Sequence, residues 1–185
     1  EYQGVRLSLD AYLDKTRIPL KIDISTGDVI TPCEISFSYQ LMFENRTIPL
    51  LAYPPETVLA EKLETILSRG EANTRLRDFY DVYILQREDF VVTPDALRYA
   101  LLATCRTRGH EDLLHTYASI LDGVRQSGAM RTQWMKYQTD FDYAAGITWD
   151  TVLDTVETLC MKTLDDHAFG DELPQEESQF EMHLL

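Results

Sequence analysis

The stretch Tyr53-Pro54-Pro55-Glu56-Thr57-Val58-Leu59-Ala60-Glu61-Lys62-Leu63-Glu64-Thr65-Ile66-Leu67-Ser68-Arg69-Gly70 is where the chain changes its period. Before it, apolar and polar residues alternate; from Val58 onward, apolar residues recur three and four apart. At roughly 100° per residue, Val58, Leu59, Leu63, Ile66 and Leu67 fall on one helical arc. Pro55 suits a first helical turn and Gly70 a stop, so the spacing predicts a helix over 55–69. Upstream, Val5, Leu7 and Leu9 alternate with Arg6 and Ser8. Leu20, Ile22 and Ile24 do the same, as do Ile35, Phe37 and Tyr39, and residues 47–52 give a last apolar run. Period two between turn signals predicts half-buried strands, and short connectors predict antiparallel neighbours in a meander or mixed sheet.

Downstream the pattern stays helical. Asn73 or Thr74 can cap a second helix reaching Gln86, and Thr93-Pro94-Asp95 opens a third through Thr104. Further helices are expected near 111–127, 129–144 and 149–164, with Trp134, Tyr137 and Trp149 anchoring their packing. Strands first and helices after define an α+β protein. The expected organisation is a sheet region over 1–52, a helical region over 53–164 and a flexible acidic tail over 165–185.

Composition narrows the function classes. The 185 residues include 31 acidic and 17 basic side chains, a formal net charge of −14. That balance argues against broad nucleic-acid coating, which needs clustered Lys and Arg, while leaving room for a small basic pocket. No apolar run approaches the roughly 20 residues of a membrane span. Cys33, Cys105 and Cys160 lie far apart and form no CxxC, which predicts reduced thiols and a cytoplasmic location. No signal peptide is expected. His110 and His115, five apart, do not share a helix face, so they and His167 and His183 are expected at the surface.

Three places carry candidate chemistry. Lys62 lies inside the apolar arc of the 55–69 helix, whereas Glu61, Glu64 and Ser68 face away. A lysine there either snorkels from the edge of the stripe or presents a cation to a phosphate. On the next helix, Asp78 and Asp81 are three apart and share a face, flanked by Arg75 and Arg77. An antiparallel helix pair would bring Lys62 to one of these carboxylates, either as a structural ion pair or as a charged wall of an active site. Asp23, between Ile22 and Ile24, is either the solvated side of an ordinary strand or a buried carboxylate that needs a cation.

The block Leu59-Ala60-Glu61-Lys62-Leu63-Glu64, then Ser68-Arg69-Gly70, then Asn73-Thr74-Arg75-Leu76-Arg77-Asp78-Phe79-Tyr80-Asp81, resembles the third and fourth motifs of the AbiEii/AbiGii-type nucleotidyltransferase toxins. Lys21-Ile22-Asp23-Ile24-Ser25-Thr26-Gly27-Asp28 with Pro32 looks like that family's second motif region, and the Trp134–Trp149 helices look like its C-terminal part. The resemblance spans residues 1–164. It implies a partial polymerase-β-like sheet, mixed or antiparallel, followed by helices. It also implies transfer of a nucleoside monophosphate from an NTP, GTP or CTP, to an acceptor such as tRNA, within a toxin–antitoxin or phage-defence pair. In that scheme Asp23 is the third Mg²⁺ carboxylate, Lys62 grips the NTP phosphates and Asp78 orients Lys62 or the acceptor. Arg69, Arg77 and Asp81 complete the nucleotide site.

One departure stands out. No Gly-Ser or Gly-Gly turn followed by Asp-x-Asp occurs in these residues, and Asp10 with Asp14 does not replace it. The chain begins at Glu1, and the expectation is a C-terminal part of the enzyme fold, catalytically incomplete as it stands. The rival expectations are a non-catalytic interaction module that binds an antitoxin-like partner, and a decayed remnant.

Overall fold

The computed structural model describes residues 4–87 and 92–165. The tail beyond Asp165, with His167 and His183, lies outside them. The fold is α+β. Strands β1 (Gly4–Leu13), β2 (Thr16–Ser25), β3 (Ile35–Gln40) and β4 (Thr47–Ala52) precede six helices. These are α1 (Pro55–Arg69), α2 (Leu76–Leu85), α3 (Pro94–Arg108), α4 (Leu113–Gln126), α5 (Gly128–Asp140) and α6 (Trp149–Leu164). Helix α1 has the limits its periodicity predicts. Helix α2 begins later than expected, because a 3-10 turn at Gly70–Ala72 and a side-chain turn at Asn73 intervene. The late end of α5 gives way to a separate 3-10 turn at Asp142–Ala144.

The strands correct two expectations. They form no single meander or mixed sheet but two antiparallel hairpins, β1–β2 and β3–β4. Nor are they half-buried: nearly every strand residue is exposed. The alternation is nonetheless real. Val5 pairs with Ile24, Leu7 with Ile22 and Leu9 with Leu20, while Arg6 pairs with Asp23 and Ser8 with Lys21. Directly opposed side chains point to one side of the ribbon. One side is therefore apolar and the other polar, and the apolar six remain 41–60 % exposed. Among the described residues, no second layer covers that side.

The core belongs to the helices. Leu59, Leu63 and Ile66 of α1, Phe79 and Val82 of α2, Leu97 and Leu101 of α3, and Val152 and Val156 of α6 are fully buried. Helix α1 packs on α2, α3 and α4, and α6 closes the bundle against the same three. Trp134 is buried, stacks on Tyr137 with ring centroids 5.4 Å apart and donates Nε1–H to the Ile147 carbonyl at 2.8 Å. The hydroxyl of Thr93 caps α3 and that of Thr148 caps α6, each accepting from the backbone N–H three residues on.

The cysteines follow the core. Cys105 and Cys160 are buried and Cys33 is exposed. Burial pushes both buried thiols up to about 12. With a thiol-specific reagent at pH 8, Cys33 alone is expected to react quickly, and all three after denaturation. Rapid labelling of Cys105 or Cys160 in the native protein would contradict this packing.

Candidate functional site

The turn between α1 and α2 sets the geometry. Asn73, fully buried, accepts from the Arg75 N–H at 2.7 Å through Oδ1, and its amide lies 3.5 Å from the Thr65 carbonyl. This fixes the chain reversal and lays α2 antiparallel to α1. Arg75, Asp78 and Asp81 then face the α1 surface that carries Lys62. Lys62 Nζ donates to Asp78 Oδ1 at 3.2 Å and to Asp81 Oδ2 at 2.6 Å. Its side chain is 19 % exposed, that of Asp78 3 % and that of Asp81 24 %. Lys62 is thus neither deeply buried nor free in solvent. It is a cation held at a surface by two carboxylates.

Asp78 has a second cation. Arg75 Nη2 donates to Oδ1 at 3.3 Å, and Arg75 Nε lies 2.8 Å from Oδ2. That second contact is a charge contact without hydrogen-bond alignment, so Oδ2 keeps accepting capacity although it is buried. A buried carboxylate oxygen without an aligned donor costs stability. It is also the kind of atom that can accept from a bound hydroxyl or water.

The Lys62–Asp78 pair forms a wall between two clefts, lining both. The first, about 960 Å³, also takes in the Ser25–Asp28 turn, Glu64, Arg69, Arg108 and His110. The second, about 750 Å³, takes in Arg77, Asp81, Lys136, Tyr137 and Phe141. Arg69 is exposed and has no ion pair among the described residues. Arg77 lies 3.8 Å from Asp81 and is largely solvated.

Asp23 is elsewhere. It lies on the polar side of β2, 65 % exposed at the side chain, and lines neither cleft. Arg6 grips both its oxygens, one at 2.9 Å, and this pairing holds the carboxyl below its ordinary range. The acid that reaches the first cleft from the strand region is Asp28, five residues on. Gly27, at φ 92°, takes the left-handed turn that carries it there. Ser25 Oγ donates to Asp28 Oδ2 at 2.7 Å, and Arg108 Nη2 lies 3.7 Å from Asp28 Oδ1.

Glu64 also corrects the sequence-based expectation. Glu64 does not face away: its side chain is 3 % exposed and takes a hydrogen bond from Arg108. His110 is 44 % exposed at the side chain, in keeping with a surface position, and its Nδ1 lies 2.7 Å from the other Glu64 oxygen in the cleft lining. Counting Ala60 as apolar would have exposed the error, since Glu64 then sits only about 40° beyond the arc. Asp28, Glu61 and Glu64 crowd one side of Arg108. Burial, and next the Asp28 carboxylate, raise the Glu61 carboxyl above its ordinary range. Nothing local in the sequence places Arg108 there, because its partners lie 44 and more residues away.

The loop after β2 is fastened to α1 by two further bonds. The Thr31 N–H donates to Thr57 Oγ1 at 2.9 Å, and the Thr57 hydroxyl donates to the Thr31 carbonyl at 3.0 Å. No three His, Cys, Asp or Glu side chains gather to hold a metal ion among the described residues. No helix among them is long and apolar enough to cross a membrane.

The family described as "Nucleotidyl transferase AbiEii toxin, Type IV TA system" matches residues 1–155. Comparisons with curated proteins and with solved structures returned no match.

Proposed function

The chain belongs to the AbiEii nucleotidyltransferase toxin family of type IV toxin–antitoxin systems, and from that premise we propose that it carries the triphosphate-gripping part of an enzyme that transfers a nucleoside monophosphate from GTP or CTP to an acceptor hydroxyl, with tRNA as the acceptor class. The family brings with it a nucleotide substrate and an antitoxin partner. Phage defence in the cytoplasm is the setting proposed for the pair.

The observation that carries this reading is the placement of Lys62. A purely structural ion pair needs no opening on either side, yet this amine stands between two clefts. In the proposed reaction the acceptor oxygen attacks the α-phosphorus, forms a new O–P bond and gives up its proton to solvent water. The bond from the α-phosphorus to the bridging oxygen breaks, and pyrophosphate leaves with that electron pair. Lys62 balances phosphate charge, with Arg69 beside it in the first cleft. Asp78 and Asp81 hold the amine in place, and Arg77 anchors Asp81 from the far side.

Family chemistry generally runs on a divalent metal, with Mg²⁺ as the proposed ion. The described residues do not fit that role by themselves. Arg6 occupies both oxygens of Asp23, which among the described residues belongs to no group of three metal-ligating side chains. No step is therefore assigned to Asp23, and these 185 residues are expected to show little or no transfer, for want of a Gly-Ser or Gly-Gly turn followed by Asp-x-Asp.

Binding is the direct test. Titration calorimetry with GTP and with CTP, each with and without Mg²⁺, is expected to give heat for at least one. Asp78→Asn is expected to weaken that binding roughly tenfold, since Lys62 then keeps one anionic partner, while circular dichroism stays unchanged. Absence of heat with both nucleotides would remove the nucleotide reading. It would favour the second one, a protein-interaction module, which the uncovered apolar side of β1–β2 supports.

A further inference from the structure

The cleft on the α5 side of the wall has a different chemistry from the one beside the Ser25–Asp28 turn. Its exposed lining includes an aromatic ring, Phe141, and three cations, Arg75, Arg77 and Lys136, with Thr74 and the acid Asp140. Phe141 is 41 % exposed at the end of α5, where its ring leans on Tyr137 at 4.7 Å and Tyr143 at 5.4 Å. Lys136 is exposed one turn before it and has no ion pair among the described residues. Arg77 is 76 % exposed at the side chain. Gln133 supplies an amide with donors and an acceptor. Aromatic faces beside solvated cations are the combination that receives single-stranded nucleic acid, because any base can stack and the cations meet its phosphates. The other side of the wall has no Phe, Tyr or Trp in its lining to stack a base.

We infer that this second cleft is the acceptor's dock. It receives a single-stranded nucleic-acid end, stacks a terminal base on Phe141 and contacts its phosphates through Arg77 and Lys136. The terminal hydroxyl then points past Lys62 into the first cleft, toward the α-phosphorus. The inference rests on the nucleotidyl-transfer reading above and adds which side of the wall each substrate occupies. The net charge of −14 fits a small footprint better than a broad one. With two phosphate contacts, the logarithm of affinity should fall against the logarithm of salt concentration with a slope of about −1.4. Asp140, at the rim of the same cleft, opposes a phosphate.

The test is fluorescence anisotropy of the full chain with a short 5′-labelled single-stranded RNA bearing a free 3′-hydroxyl. Binding is expected at low salt. Phe141→Leu, which keeps apolar packing and removes the ring, should weaken it roughly tenfold. Lys136→Ala should weaken it and flatten the salt slope, and Asp140→Asn should strengthen it. Thermal midpoints report whether each variant folds. GTP calorimetry on Phe141→Leu and Lys136→Ala is expected to match the parent protein, because neither residue lines the first cleft. RNA binding that ignores both substitutions, or no RNA binding at low salt, overturns the acceptor dock even where GTP still binds. Loss of GTP binding in the parent with RNA binding still dependent on Phe141 would instead overturn the triphosphate assignment and leave this cleft a nucleic-acid site.

Discussion

Lys62→Ala is expected to lower affinity for the nucleoside triphosphate about a hundredfold while the protein stays folded. The two halves of that result come from the same geometry. A charge-assisted contact with phosphate in a partly desolvated cleft is worth about 2–3 kcal/mol, which sets the loss in binding. The loss in stability is smaller, because neither carboxylate is orphaned. Asp78 keeps Arg75 at 2.8 Å and Asp81 keeps Arg77 at 3.8 Å. Lys62 and Asp81 are also partly solvated, at 19 % and 24 % of their side chains, so screening reduces what their pair contributes. A cost of about 1 kcal/mol or less is expected in urea unfolding. Loss of cooperative unfolding in Lys62→Ala, with no effect on nucleotide binding beyond that of unfolding, would make the pair a structural joint between α1 and α2.

The opposite pattern is expected at Phe79. Phe79→Ala should cost about 3–5 kcal/mol and lower the thermal midpoint by about 10 °C. Phe79 is fully buried, and its ring centroid lies 5.0 Å from that of Trp149. Trp149 in turn lies 5.8 Å from Trp134. These three rings join α2, α5 and α6, so the cavity left by alanine has rigid walls and little chance to collapse. The cost also reaches the site, since α2 carries Asp78 and Asp81, with Arg75 immediately before it. Nucleotide binding measured well below the new midpoint should be close to that of the parent protein. A midpoint shift under about 3 °C would mean that α2 is not seated on α6 as described.

The helices were legible because their signals are local. The arc from Val58 to Leu67, Pro55 at the start and Gly70 at the end give α1 its limits. The Lys62–Asp78–Asp81 contact follows from two neighbouring helices joined by a short turn. The strands were legible as strands but not as a sheet: alternation shows which side of β1–β2 is apolar, and nothing in it says what covers that side. The same limit explains Asp23. Its flanking isoleucines indicate a side chain on the polar face, and the cross-strand partner that neutralises it, Arg6, is set by register, which one strand does not encode. Arg108 and His110 were missed for a related reason. Their partner Glu64 is 44 and 46 residues away, and only the packing of α3 on α1 brings them together.

Lysine footprinting by mass spectrometry reads the Lys62 amine itself. The chain has five lysines, and Lys15, Lys21, Lys136 and Lys162 are exposed. With an amine-acylating reagent, Lys62 is expected to react several-fold more slowly than those four, because Asp78 and Asp81 hold the amine in place and screen it from the reagent. Added GTP should slow it further and leave Lys15, Lys21 and Lys162 unchanged. Lys62 labelled as fast as the exposed lysines, with GTP making no difference, would contradict a cation poised between two clefts for a triphosphate.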